Sequence, residues 1–495
     1  MATISDLQLP GQTSFRIVLA ALAVAAIGYV VKCLTSPLAK IPGPWYTKFT
    51  DIVATIHLLQ SSRPAYVHEL HEKYGPVVRL SPTEVDLMDV PAVKEIHAVK
   101  ATYVKSPFYK EVSGPGVEDM FNTRDVNFHR RHRRLLGGPF SESSLKIFHP
   151  LVERRVDLTM QRIGEEMATR GVADIFKWFL FMATDIIGEL TFGESFRMTE
   201  AGEKNDYVKT LERASAVFGV RTTFPTLTRL GASGVPIPGF GDSSTVIRGI
   251  TKYAKESLDR YKSLLEKDPD NPIQTLFTRL FKGEENDTMS YTEIRHDAQL
   301  YIVAGSDTTA VSLVYLVWLV CKHPEVHKKL LAELQQLPDD YTDNELVQLP
   351  YLNRVITEAL RIKGAVPSAL PRSVPPGGAN LGGYYIPGGT TVCTQAYSLH
   401  RNPDVFTDPE KFDPDRWVSP TRDMKDSYMP FGGGSRVCIG IHLARLELRL
   451  GTARFFRMYP NAKISTLEGM SDDDMEQQLS FLAPPKTKRC LVEVS

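Results

Sequence analysis

The chain is poor in cysteine and has no excess of either charge. The cysteines are odd in number, lie far apart and form no C-x-x-C pair, which argues against a disulfide framework and a tetrahedral zinc site and fits a reducing compartment. The 58 Lys and Arg residues balance 58 Asp and Glu residues, so nothing in the charge indicates nucleic acid as a partner. The five cysteines are Cys33, Cys321, Cys393, Cys438 and Cys490.

Internal repeats and low-complexity tracts are also missing, so the pattern does not indicate a repeat protein. The 495 residues, 42% of them hydrophobic, can bury a large core, and their number allows one large domain or several smaller ones. After residue 50 most of the chain has the pattern of helices joined by proline and glycine loops. We therefore predict a mainly α fold with small β-sheets.

One long uncharged run stands near the N-terminus. Residues 15–34 are apolar except near their ends, and their length is close to the ~20 residues that a bilayer requires. A membrane anchor is the prediction, with a cleaved signal peptide and a buried helix as alternatives. The lysines that follow, Lys32, Lys40 and Lys48, predict that the bulk of the chain faces the cytoplasm. The prolines of IPGPW (41–45) predict a stiff, extended hinge.

Two segments alternate in the manner of β-hairpins, Tyr74 to Asp89 and Gly382 to Val392. Between them along the chain, Gly231 to Gly241 is a loop with an apolar tip. The tip could dip into the membrane or pack as an ordinary loop on the globule.

The longest predicted helix begins at Ser290, where SYTE forms a capping box, and ends at Lys322 before His323-Pro324. AGSDTT (304–309) interrupts its apolar surface. A threonine hydroxyl there can bond the carbonyl of the preceding turn, and the expected local break leaves room for a small molecule. The alternative is a solvated stripe, but the flanking residues are too apolar for that.

A glycine-rich loop, FGGGSRVCIG (431–440), places Cys438 ahead of another predicted helix. Backbone N–H groups at a helix start can lower a cysteine pKa, and glycines let the main chain pass close to a flat ligand. From these residues alone, Cys438 is either a ligand or a small buried hydrophobe.

Charged residues mark four further motifs. Glu358 and Arg361 share a helix face, Arg416 lies on the turn of FDPDRW, and Arg372 follows a proline at a strand start. In FHRRHRRLL (128–136), His129 and Arg133 share one side and could clamp an anion.

Taken together and in this order, the motifs resemble those of the cytochrome P-450 family, in its membrane-bound, fungal microsomal form. F-x-x-G-x-R-x-C-x-G matches at Phe431, Gly434, Arg436, Cys438 and Gly440. The long-helix, E-x-x-R and arginine-turn motifs match too, and the likeness runs from about Ile41 to the C-terminus. Many relatives have tryptophan where this chain has His129.

The resemblance implies a single large domain with the cytochrome P-450 fold behind an N-terminal anchor. The boundaries are 1–36 with the anchor at about 15–34, 37–50 as the proline-rich hinge, and 51–495 as a heme-thiolate monooxygenase domain. It implies heme b with its iron, the metal, bound by Cys438. Phe431 and Gly440 would belong to the cofactor-binding loop.

The resemblance also assigns roles to the remaining motif residues. Four residues, His129, Arg133, Arg372 and Arg436, would pair with the heme propionates, and Asp307 and Thr308 would be catalytic, delivering protons. Glu358, Arg361 and Arg416 would be structural. The expected partners are an NADPH-cytochrome reductase, a lipophilic small molecule and the membrane, with no nucleic acid. The expected protein is a single-pass monomer in the endoplasmic reticulum membrane.

Three alternatives to a monooxygenase follow from the same residues: a heme-thiolate isomerase or dehydratase that needs no dioxygen, a non-enzymatic heme protein, and a membrane-tethered binding protein without heme. The Asp307-Thr308 pair argues against the first two. The segments expected to face substrate are mostly apolar or small, which fits a terpenoid, polyketide or alkaloid skeleton. These segments are Ser113 to Met120, Phe218 to Phe224, Ala304 and Val366 to Leu370.

Overall fold

Helices dominate the protein, as the sequence predicts. The computed structural model describes residues 10–100, 102–113, 116–210, 218–233, 235, 237, 242–282 and 289–494. The helices of the first half of the chain are α1 (Pro10–Thr35), α2 (Ile52–Leu59), α3 (Arg63–Tyr74), α4 (Val90–Ile96), α5 (Val126–Gly137), α6 (Glu142–Leu145), α7 (His149–Arg170), α8 (Ile175–Phe192), α9 (Met198–Ala201), α10 (Phe218–Thr223), α11 (Pro225–Ala232) and α12 (Asp242–Lys267). Those of the second half are α13 (Thr278–Lys282), α14 (Tyr291–Lys322), α15 (Pro324–Leu334), α16 (Asp343–Val347), α17 (Pro350–Lys363), α18 (Ala396–Leu399), α19 (Arg422–Ser427) and α20 (Ile441–Met458).

Short strands form small sheets at the edge of this helical body. The strands are β1 (Val77–Ser81), β2 (Glu84–Leu87), β3 (Val104–Lys105), β4 (Ala173–Asp174), β5 (Arg372–Ser373), β6 (Ala379–Leu381), β7 (Tyr384–Ile386), β8 (Thr391–Cys393), β9 (Ala462–Ile464) and β10 (Leu491–Val494). Their order is β1-β2-β8-β5-β3 in one sheet and β4-β10-β9 in another, and β6 pairs with β7. The predicted fold class, mainly α with small β-sheets, is confirmed.

Helix α14 runs through the main hydrophobic core. Its predicted N-cap is confirmed, because the Ser290 hydroxyl accepts from the Glu293 N–H while the Glu293 carboxylate accepts from the Ser290 N–H. Close packing against α8 requires glycine at Gly305, where a Cβ would come within 2.9 Å of Ile187 Cγ1. The expected local break is not seen, since helical structure is unbroken from Tyr291 to Lys322.

Only the first predicted hairpin has the expected pairing. Strands β1 and β2 pair antiparallel between Tyr74 and Asp89. The second prediction was wrong in register, because β6 pairs with β7 and β8 joins the large sheet beside β2. Gly382 and Gly383 have φ of +53° and +83°, which places the turn at the start of the predicted segment.

The proline-rich segment is folded onto the globule, although the sequence predicts an extended hinge. Its residues form two 3₁₀ turns, Pro37–Lys40 and Trp45–Lys48. Leu38 and Ile41 are buried in a core cluster with strand residues. The reason is long-range: Arg79, from β1, donates to the carbonyl oxygens of Leu38 and Ile41 at 3.0 and 2.6 Å.

Candidate functional site

The loop that carries Cys438 is held by backbone contacts that need glycine. At Gly434, where φ is +62°, an added Cβ would lie 1.8 Å from the His97 carbonyl oxygen. The Cys438 N–H donates to the Phe431 carbonyl at 2.9 Å, which closes the loop. Gly440 is the N-cap of α20, so Cys438 precedes the helix, as the sequence predicts.

The Cys438 thiol lies in the interior of the protein and is still accessible to solvent. Burial within the protein raises its pKa, and this effect outweighs the Gly440 backbone hydrogen bond and the positive charge of Arg133, which both lower it. The low pKa that a helix start could give is therefore not found in the protein alone. A coordinated metal ion would remove the proton, since a thiol bound to a metal is deprotonated.

The four predicted anion-binding residues come together beside this loop. Arg133 Nη1 donates to the Val437 carbonyl at 2.7 Å, and Arg436 Nη1 donates to the Thr123 carbonyl at 3.3 Å. The buried Arg372 donates weakly to the Tyr109 hydroxyl, at 3.4 Å. Burial, Arg436 and Arg133 are among the causes that lower the pKa of His129 to about 3.

Sequence reasoning missed a fifth member of this cluster, Lys105. Its ammonium group lies 4.0 Å from the ring centroids of both Tyr109 and Phe121 and donates to the Phe121 carbonyl. Burial first, and then the charges of Arg372 and Arg436, hold the pKa of Lys105 well below its usual range. A lysine in YVKSPFY has no local signal for this role, because β3 and β5 bring it beside Arg372 only through long-range pairing.

The three arginines of this cluster concentrate positive charge beside the cysteine loop, whereas the low pKa of His129 leaves its ring neutral at pH 7. Burial and the nearby Arg372 lower the pKa of Arg436 to about 10. Among the residues that the structure describes, no carboxylate forms an ion pair with any of the five, and the hydrogen bonds of the lysine and arginines described above go to neutral oxygens. Buried cations of this kind favour a bound anion.

The middle of α14 faces the same interior. Ala304 is exposed although it lies deep in the helix, and Thr308, one turn later, donates from Oγ1 to its carbonyl at 2.6 Å. Asp307 is half-buried. Cys438 and Arg133 both influence the pKa of Tyr301, which places this part of α14 close to the cysteine loop.

Glu358 is the centre of a buried network. Arg361 donates to it from Nε and Nη2, both at 2.8 Å, and Arg416 Nε donates at 2.8 Å. The Trp417 indole N–H and the Asp413 N–H also donate to this carboxylate. Five donors thus satisfy the Glu358 carboxylate.

The basic helix α5 divides its remaining arginines between solvent and helix α14. Arg130 and Arg134 are exposed. Arg131 donates to Glu293 at the start of α14. His132, buried next to it, bonds Asp297 of α14 at 2.6 Å. The cause is tertiary packing, which a helical wheel does not contain.

The cytochrome P450 family model matches residues 44–492. The chain belongs to the cytochrome P450 family. Its relatives include "Cytochrome P450 monooxygenase tazI" of Aspergillus terreus, 48% identical over 97% of this chain and 99% of that protein. "Cytochrome P450 monooxygenase aflV" of Aspergillus parasiticus is 37% identical, over 93% of this chain and 92% of that protein. "Tryprostatin B 6-hydroxylase" of Aspergillus fumigatus is 31% identical, over 86% and 76%.

This P450 is therefore a monooxygenase. The alternatives of a heme-thiolate isomerase or dehydratase, a non-enzymatic heme protein and a binding protein without heme are not retained. The family implies a heme iron, and the residues present fit one. Buried cations without carboxylate partners suit a ligand that carries carboxylate groups. The accessible thiol beside them is a donor that iron accepts, as in other P450s.

Proposed function

We propose that this P450 oxidises a lipophilic fungal secondary metabolite by hydroxylation, epoxidation or further oxidation. It would use dioxygen and electrons from NADPH delivered by a reductase, and act as a monomer. One observation carries the proposal: the solvent-accessible Cys438 thiol lies beside a cluster of arginines whose described hydrogen bonds go to neutral oxygens. The N-terminal region 1–36 would be the anchor, and residues 51–495, with the 37–50 segment packed on them, the monooxygenase domain.

Cys438 would bind the iron of heme b as a thiolate, in the loop that Phe431 and Gly440 delimit. His129, Arg133, Arg372 and Arg436, together with Lys105, would hold the propionates. When bound, a heme with a thiolate ligand favours O–O cleavage. The protein's part is to fix the thiolate, balance the carboxylates and keep water from the reacting centre.

Thr308 and Asp307 would supply the protons. In the structure the Thr308 hydroxyl hydrogen goes to the Ala304 carbonyl at 2.6 Å, a local bond that a rotation of the hydroxyl can exchange for one to dioxygen held in the interior. The half-buried Asp307 next to it would return a proton to that hydroxyl.

The substrate class rests on apolar residues in the segments expected to face substrate. Val366 and Leu370 are half-buried apolar residues, whereas the half-buried side chains at 220–223 include Arg221, which donates to the Val112 carbonyl. Residues 114 and 115 lie outside the described residues. The name of one relative, "Tryprostatin B 6-hydroxylase", supports hydroxylation as the reaction.

Helix α1 would anchor the enzyme in the endoplasmic reticulum membrane with its catalytic domain in the cytoplasm. Ser14–Thr35 is long and apolar enough to cross a bilayer and is almost wholly exposed, which does not support the buried-helix alternative. Helix α14 is also long and apolar enough, but it is mostly buried in the core. Further exposed apolar side chains occur on α2 and on α11, at Ile52, Ile56, Leu59, Leu227 and Leu230. Of the Gly231 to Gly241 loop, Val235 is described and exposed, and most of the rest lies outside the described residues.

A spectral screen with product analysis tests this proposal. Purified P450 is titrated with fractions of fungal metabolite extracts, and compounds that shift its Soret band are incubated with NADPH and reductase. We expect an oxygenated product of a lipophilic compound, and no product from Cys438→Ser, whose reduced carbon monoxide complex should lack the thiolate-type band. A thiolate-type band in Cys438→Ser would disprove the ligand assignment.

A further inference from the structure

His400, which follows α18, uses both ring nitrogens inside the core. It is 2% exposed. Its Nδ1 lies 2.9 Å from the Arg361 carbonyl oxygen, and its Nε2 lies 2.9 Å from the Met429 backbone nitrogen. A carbonyl only accepts and an amide N–H only donates, so Nδ1 carries the hydrogen and Nε2 accepts. The ring is thus a neutral bridge with a fixed direction.

One end of the bridge rests on the Glu358 network. Arg361 Nη1 donates to the His400 carbonyl at 2.7 Å, while the His400 ring donates to the Arg361 carbonyl. The two residues therefore hold each other through reciprocal bonds. Because Arg361 is itself held by Glu358, this end cannot shift without disturbing a buried carboxylate.

The other end reaches the cysteine loop. The Met429 carbonyl accepts from the Gly432 N–H at 3.0 Å, and the Phe431 carbonyl accepts from the Cys438 N–H at 2.9 Å. Three successive glycines, Gly432 to Gly434, follow Phe431 in this loop. Because glycines add little conformational restraint of their own, the bonds at the start of the loop contribute to its position, together with the Arg133–Val437 bond.

We propose that His400 is a positioning residue that transmits the rigidity of the Glu358 network to the cysteine loop. It holds Met429, and through Met429 and Phe431 it fixes the position of the Cys438 sulfur. This inference rests on the proposed role of Cys438 as the iron ligand. Losing the bridge would orphan the Met429 N–H and the Arg361 carbonyl at once, and the loop would relax toward a geometry that holds the thiolate less firmly.

Two substitutions separate the bridge from the space that it fills. His400→Leu keeps an apolar volume and removes both bonds. His400→Gln restores one donor and one acceptor on a single planar amide. His71→Leu is the matched control, because His71 is equally buried and also uses both nitrogens, on Gly75 and Asp86, away from the cysteine loop.

The measurement is the rate at which the reduced carbon monoxide complex of the full-length holoenzyme loses its thiolate-type band in mild urea. Each variant is measured at a urea concentration that lies the same amount below its own unfolding midpoint. We expect the rate to rise about tenfold in His400→Leu, equivalent to about 1.4 kcal/mol of activation free energy. His400→Gln and His71→Leu should stay near the wild-type rate. If His400→Leu yields no folded protein, His400→Asn replaces it, since its shorter amide can reach only one partner.

Equal rates in the His400 and His71 variants would overturn the proposal and leave His400 as a core residue that only stabilises the fold. A failure of the proposed function looks different. In that case the wild type itself would lack the thiolate-type band, or Cys438→Ser would keep it.

Discussion

Single buried histidines make the stability of this enzyme sensitive to acid. Burial lowers the pKa of His400 to about 3 from its ordinary 6.5, and burial with the nearby Arg372 lowers that of His97 to the same range. Both rings are neutral in the folded protein. Below about pH 6.5 the unfolded chain binds protons at these positions and the folded chain does not, so stability falls as the pH drops from 6.5 toward 3.

At about pH 5 each of these two histidines should cost on the order of 2 kcal/mol of unfolding free energy relative to neutral pH. The thermal midpoint of the wild type should therefore be lower at about pH 5 than at about pH 7.5. His400→Gln removes one titrating ring and keeps the hydrogen bonds, so its midpoint should fall less. A pH slope in His400→Gln that matches the wild type would contradict this account.

Helix α14 offers a test of the proton relay with a control on the same helix. Thr308 and Ser312 each donate to the carbonyl four residues earlier, at 2.6 and 2.7 Å. Neither substitution to alanine removes a hydrogen bond to another element, so both variants should fold. Only Thr308 lies on the part of α14 that faces the interior beside Ala304.

In Thr308→Ala, product formed per NADPH should drop about tenfold or more, because a proton donor is lost at the reacting centre. Peroxide should account for the missing electrons, and substrate should still shift the Soret band. Ser312→Ala should stay close to the wild type. Equal uncoupling in the two variants would mean that the effect comes from the helix backbone and that the relay is misassigned.

Helix α5 carries two kinds of arginine, and they should respond differently to charge reversal. Arg130 and Arg134 are exposed, and the family generally works with a reductase, whose flavin domains are typically acidic. Reversing both to glutamate should slow reductase-driven turnover by about tenfold at low ionic strength. The loss should shrink as salt screens the charges beyond a Debye length of about 8 Å.

Arg131→Glu serves as the contrast on the same helix. It would place a second carboxylate against Glu293, which is needed for the α14 capping box, so it should lower the melting temperature at every salt concentration. Turnover driven by added hydrogen peroxide should be spared in the Arg130 and Arg134 double variant. If peroxide-driven turnover falls with it, those arginines stabilise the fold and are not a docking surface.

Elements with local signals could be predicted from the sequence, and long-range contacts could not. The Ser290 capping box and the stop at Lys322 depend on neighbours in the chain, and both ends of α14 were correct. Arg131, Lys105 and the partner of β8 are set by segments more than a hundred residues away. The residues of the candidate site could be named from the sequence because their motifs resemble those of a known family; Arg372, in the short strand β5, has no local signal for its place beside Lys105.

At the scale of the whole molecule, the segment between helix α1 and the globule decides where the folded unit begins. Leu38 is 3% and Ile41 2% exposed, and they pack in the same cluster as Val77 and Val85. Arg79 is buried as well, and its bonds to this segment include one from Nε to the Thr47 hydroxyl at 3.1 Å. A chain that begins at Lys40 would lose Leu38 and two acceptors of the guanidinium, the carbonyl oxygens of Leu38 and Ala39.

Two truncations should therefore behave differently. A chain that begins at Ser36 keeps the hydroxyl that caps the Pro37–Lys40 turn, so it should bind heme and melt close to the full-length enzyme. A chain that begins at Thr50 loses the burial of Leu38 and Ile41, worth about 1.5–3 kcal/mol each, and leaves Arg79 with unsatisfied buried donors. That sum is a large part of the 5–15 kcal/mol by which proteins are typically stable, so we expect loss of heme or a much lower melting temperature.

Arg79→Leu in the full-length chain should reproduce part of this loss with the segment still present. Equal melting of the two truncated chains would show that residues 37–50 are only a tether, and membrane binding that persists in the chain from Ser36 would point to the apolar residues of α2 and α11.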